Sequence, residues 1–153
     1  MTEQLKDDFE YWVKLSEKKD KILGVVTLIE EQLQGFTKSM TEKDFECVTY
    51  HIFPFDTRVI SVVMGNHVNN PRSFAISLED IQILENGNLS VPIIRVYSWM
   101  GNCDTPDRND FKIVLEKKLE GNDREIKVLN YGLLNVLVQV YDEIAKNFNL
   151  PSL

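Results

Sequence analysis

Cysteine, histidine, proline and glycine are all scarce in this chain of 153 residues, with two, two, five and seven copies. Each scarcity removes a class of chemistry. Cys47 and Cys103 stand far apart with no C-x-x-C spacing, which leaves no zinc ribbon or dithiol redox motif. They read as two thiols of a reducing compartment, with Cys47 partly buried. Neither histidine, His51 or His67, belongs to an H-E-x-x-H pattern, and no P-loop, G-x-G-x-x-G or G-x-S-x-G occurs. Long apolar runs are missing too. The nearest, residues 133–141, is interrupted by Asn135 and Gln139 and falls short of the roughly 20 residues of a membrane span. The opening MTEQLKDDFEYW is charged where a signal peptide carries its apolar region, so the expectation is a cytoplasmic protein. The Asn88-Leu89-Ser90 sequon then carries no weight. Positive charge is also in deficit, 17 bases against 24 acids, for a formal charge of −7. Such a surface repels phosphate backbones and anionic headgroups, which disfavours direct nucleic-acid binding and membrane anchoring.

What remains is enough to build a core. Hydrophobic residues make up 43% of the chain, above what a disordered sequence carries. Charge is spread evenly, and there is neither an internal repeat nor a Pro/Gly/Ser-rich linker, so residues 1–153 read as a single domain. Residues 2–34 are predicted helical, capped by Thr2 and stopped by Gly35. Leu5, Phe9, Trp12, Ile22, Val26, Ile29 and Leu33 fall near one stripe. The polar run from Ser16 to Lys21 interrupts that stripe and leaves one helix or two open.

From Phe45 the period changes to two. Residues 45–53 and 57–64 alternate with apolar side chains on both faces, which predicts interior strands covered on each side. Residues 74–78 form a third candidate. Asn86-Gly87 predicts a type I′ hairpin joining residues 80–84 to 93–99, although Ser77 to Asp80 also fits a capping box and a short helix. Residues 111–115 read as a strand with one wet face, turned back at Gly121 into residues 124–129. A final helix is expected from Tyr131, capped by Asn130, to Asn149 before Pro151. The fold class is therefore α+β: a mostly antiparallel sheet of five to seven strands flanked by long N-terminal and C-terminal helices. A sheet curled around the last helix is a variant that would leave a cavity.

Four constellations are candidates for chemistry. The polar loop from Gly101 to Asp110 holds Asp104, Asp107 and Asp110 at spacings of three, without the alternation and central glycine of a calcium loop. Pro106-Asp107 with Glu116-Lys117-Lys118 imitates the carboxylate–lysine pattern of metal-dependent phosphodiesterases, but the two halves are close together. In this register Glu116 and Lys118 share a wet face with Lys112, as cross-strand ion pairs would. Cys47 and His51 point to one face of a strand about 13 Å apart, beyond reach of each other. His51 then reads as a hydrogen-bonded residue at or near the core. Tyr97 and Trp99 share a strand face with Arg95 and lead into the acidic loop. Tyr, Trp and Arg dominate binding hot spots, while the same face buried under a helix would be plain core.

The expectation is thus a small acidic interaction protein that masks a basic partner protein, of immunity-protein, inhibitor or secretion-chaperone type. It carries no catalytic signature, needs no cofactor or metal, and contacts its partner through Tyr97, Trp99, Asp104, Asp107 and Asp110. Apolar residues on more than one side of the first helix (Tyr11, Trp12, Val13, Leu23, Val25) would support a homodimer. Two alternatives compete. One is a small-molecule binder with a cavity lined by Phe53, Val63, Ile94 and Leu137; the other is a phosphodiesterase using Asp107, Glu116 and Lys118.

Overall fold

Helix α1 (Glu3–Thr41) is a single helix through the polar run, where one helix or two was open, and continues past the expected stop at Gly35. The computed structural model describes residues 3–43, 45, 47–53, 58–66, 72–100, 110–148 and 150. Within α1, side chains are described at Glu10, Tyr11, Val13, Glu17 and from Gly24 onward, so Leu5, Phe9, Trp12 and Ile22 lie outside that set. Gly35 fails to stop the helix because the apolar stripe continues beyond it. Val25, Ile29, Leu33, Phe36 and Met40 are all buried at spacings of four and three, and Val25 rather than Val26 enters the core. Burying Phe36 and Met40 contributes roughly 1.5–3 kcal/mol each, against about 1 kcal/mol lost to a mid-helix glycine.

Five strands form an antiparallel sheet: β1 (Cys47–Phe53), β2 (Val59–Asn66), β3 (Arg72–Glu79), β6 (Ile93–Met100) and β7 (Lys112–Lys118), in the order β1-β2-β3-β6-β7. A small second sheet of β4 (Gln82–Ile83), β5 (Leu89–Ser90) and β8 (Glu125–Ile126) adds Leu89 and Ile126 to the core. Helix α2 (Gly132–Phe148) packs with α1 over one face of the large sheet. The pairing puts Ile60, Val62 and Met64 beside Leu78, Ile76 and Phe74, with Ile94 and Val96 next along. All are buried under the helices. Tyr141 of α2 sits between Phe36 and Phe45, edge-on to both at 6.5 and 6.0 Å. Among the described residues no helix is long and apolar enough to cross a membrane.

Several expectations are corrected by these pairings. Among the described residues β1 is covered on one face only, since Thr49 and His51 are exposed on the other, and the same face of β2 is half-buried at Val59, Ser61 and Val63; His51 is therefore not a core residue. The outer face of β2 reads as apolar in sequence because it carries Val59 and Val63, yet both are only half-buried there. The Asn86-Gly87 turn joins β4 to β5, not to β6, and its form differs. Gly87 alone has positive φ (86°) in the turn, the Gly87 N–H donates to Leu84 O, and the Asn88 N–H donates to the Asn86 side chain. That is a type I turn followed by a left-handed glycine. Residues 77–79 finish β3, so the short helix does not form. The chain after Gly121 makes a 3-10 turn and then pairs β8 with β5 rather than returning along β7. A bulge at Val96/Tyr97 sets Lys112 opposite Ser98, so Lys112 does not share the face of Glu116.

One buried polar residue ties the helices together. Gln32, 5% exposed, donates from Nε2 to the Val128 carbonyl at 2.6 Å and accepts the Leu134 N–H on Oε1 at 3.1 Å. It serves one orphan amide of α2, that of Leu134, as an N-cap would, from another helix. Asn130, the expected cap, lies in the preceding 3-10 turn, and Tyr131 in left-handed conformation starts the helix.

Candidate functional site

The face of the large sheet turned away from the helices is the site to which the sequence candidates lead. It carries Thr49 and His51 from β1, Ser61 and Val63 from β2, Ala75, Ser77 and Glu79 from β3, and Arg95, Tyr97 and Trp99 from β6. Among the described residues no helix or strand lies across it. Short side chains at its centre leave a shallow floor, and the long ones gather toward β6 and β7.

There the polar groups form one network. Arg95 Nη1 donates to Glu79 Oε1 at 2.6 Å, and Arg95 Nε donates to Glu116 Oε2 at 3.1 Å. Glu79 Oε2 accepts the Tyr97 hydroxyl at 2.9 Å and the Ser77 hydroxyl at 3.1 Å. Register explains the assembly: Arg95 lies directly opposite Glu116, and Glu79 is a diagonal neighbour across β3 and β6. The two carboxylates, Glu116 first and Glu79 next, hold the guanidinium above its ordinary pKa. Burial, and then the bond to Glu79, push the Tyr97 phenol up from its usual range. The network has one cation for two carboxylates, so it keeps a net charge of −1 and fixes the orientation of Tyr97.

Beside it stand three aromatic rings. Phe111 stacks on Trp99 at 4.7 Å and lies 6.2 Å from Tyr97. Trp99 is 4% exposed, while Ile113, next on β7, is 53% exposed. Trp99 is thus packed, with Phe111 stacked on it on the face turned away from α1 and α2. An open cleft of about 490 Å³ runs from this cluster round the sheet end, bounded by Trp99, Asp110, Lys112 and Phe148. Arg72 lies 4.9 Å over the Phe148 ring at its far side.

Of the sequence candidates, Tyr97 and Trp99 are brought together through Phe111, and the exposed Asp110 shares the cleft with Trp99. Asp104, Asp107, His67 and Cys103 lie outside the described residues, as do the side chains of Cys47 and Phe53. Ile94 and Leu137 are core residues, whereas Val63 is on the opposite face, so these three do not line one cavity. Glu116 is engaged with Arg95, and among the described residues no three His, Cys, Asp or Glu side chains converge as a metal site would require. Sequence reading missed Glu79 and Phe111. The clue to Glu79 was its two-residue spacing from Ser77, matching Arg95 and Tyr97, but it has meaning only once β3 is paired with β6. Comparison of the chain with protein-family models, curated proteins and solved structures finds no match.

Proposed function

We propose that this domain is an acidic protein-binding module that masks a basic partner protein, acting as an immunity protein, inhibitor or secretion chaperone does, by occupancy rather than turnover. The observation that carries the reading is the sheet face left bare by the helices, with Tyr97 held in place by Glu79 and Ile113 exposed next to the Phe111–Trp99 stack. Pre-ordered aromatic and apolar side chains lose little entropy on binding, which suits a hot spot. The net charge of −7, to which Asp104, Asp107 and Asp110 contribute, would steer a basic partner toward the domain, and the exposed Asp110 borders the cleft beside Trp99.

The test has two stages. The partner is first captured from the native host with the full chain, and its affinity is then measured against variants. Ile113→Arg places a long cation in the contact and is expected to weaken capture about tenfold or more. Charge reversal at Asp104, Asp107 and Asp110 together should slow association and flatten its salt dependence. Unchanged affinity for both variants would overturn the assignment of this face.

A further inference from the structure

The two edges of the large sheet are built differently. The β7 edge carries Lys112, Glu116, Lys117 and Lys118 and is distorted by the bulge opposite Val96 and Tyr97. Charges and bulges are what keep a strand edge from pairing with another chain. The β1 edge has neither device. Its seven residues, Cys-Val-Thr-Tyr-His-Ile-Phe, contain no Asp, Glu, Lys, Arg or Pro, and all pair with β2 in unbroken register. Alternate residues of such a strand turn their N–H and C=O groups outward. Among the described residues no further strand pairs with β1 on that side.

We propose that this edge is a self-association site, where a second copy of the chain pairs its own β1 antiparallel about a two-fold axis through Tyr50. The side chains fit that symmetry. With Tyr50 opposite Tyr50, each Val48 meets Ile52 on the helix-covered face and each Thr49 meets His51 on the other, so apolar faces apolar and polar faces polar. Val48 and Ile52 are only half-buried within one copy, and Thr49 and His51 are exposed, so all four have surface to lose. The same operation on β7 about Leu115 would set Lys112 against Lys118, a like-charged pair. In a chain of net charge −7, a strand without formal charge is the place where two copies approach at least electrostatic cost.

Sedimentation equilibrium on the full chain tests the proposal, with circular dichroism showing that each variant is folded. Wild type is expected to reach twice its 17.7 kDa mass as concentration rises. Thr49→Lys with His51→Lys places two like-charged cross-strand pairs in the dimer and should weaken it about tenfold. Thr49→Glu with His51→Glu should do the same, and mixing the two variants should restore association. Thr49→Gln with His51→Gln, which alters the same positions without charge, should leave it near wild type. A wild type that stays monomeric throughout, or a dimer indifferent to both charged variants, overturns the proposal; the second result places the contact elsewhere, as on α1.

Discussion

Replacing Gln32 by leucine should cost far more than its polar character suggests. Leucine nearly preserves the volume of the side chain but takes away the amide that joins α1 to the start of α2. The Val128 carbonyl, on a residue 1% exposed, loses a donor at 2.6 Å, and the half-buried Leu134 N–H loses an acceptor at 3.1 Å. A buried backbone group left without a partner costs about 1–3 kcal/mol, and an N-cap is worth about 1. The added leucine burial offsets part of this, so the net loss is about 2–3 kcal/mol. At roughly 2–4 °C per kcal/mol for a domain of this size, Tm should fall by about 5–10 °C. Urea denaturation followed by far-UV circular dichroism measures it directly. Gln34→Leu, on the exposed side of the same helix, should stay within about 0.5 kcal/mol of wild type. Gln32→Glu supplies a second handle. Its carboxylate can accept from Leu134 but must be protonated to donate to Val128, so its folded pKa is raised. The stability of this variant should therefore recover at acid pH and decline as pH rises through that pKa. If Gln32→Leu proves no more damaging than Gln34→Leu, the bridge does not hold α2 in place.

Three further outcomes follow from two glycines and the buried Tyr141. Gly35→Ala adds a methyl that meets nothing within 4 Å, so it should stabilise the protein by about 0.5–1 kcal/mol. Gly132→Ala drives its Cβ onto the Lys127 carbonyl oxygen and should destabilise by more than about 2 kcal/mol, both read from the same urea curves. Burial first, and Asp142 second, push the Tyr141 phenol up to about 12, and Tyr97 shifts in the same direction. A raised folded pKa means that the contribution is intact below the unfolded value of about 10 and is lost as pH climbs through the folded one. About 2–3 kcal/mol should disappear between those limits. Tyr141→Phe should flatten that part of the pH–stability profile.

The period of apolar residues was enough to place both helices and the five long strands, because burial on one face repeats at 3.6 or 2.0 residues whatever the partner. The same signal could not say what pairs with what. Strands of two residues, such as β4, β5 and β8, carry too few alternations to register, and β5 pairs with a strand as distant in sequence as β8, Leu89 lying opposite Ile126. Gly35 is no stop because its cost of about 1 kcal/mol is smaller than the gain from burying Phe36 and Met40 beyond it. The site was legible as far as Tyr97 and Trp99, which share a strand face. Phe111 and Glu79 reach them only through β7 and β3, so no local window could join the four.

The two surfaces bear on one another through geometry alone. Pairing β1 with a second β1 about an axis normal to the sheet keeps residue parity, so Thr49 of one copy meets His51 of the other on the uncovered side. Both uncovered faces would then look the same way, and one dimer would offer a partner two equivalent aromatic clusters. A partner with two matching basic patches, or one displayed as an oligomer, would be held by avidity, gaining up to about a hundredfold or more without any new contact. The lysine pair at Thr49 and His51 lies at the opposite edge of the sheet from Ile113, so it should leave the affinity for a monovalent partner near wild type. Its cost should appear only against an immobilised or multivalent partner, as a faster dissociation rate. Ile113→Arg should weaken both formats equally. A lysine variant that loses monovalent binding as severely would mean that β1 itself touches the partner, and the two surfaces would have to be read as one.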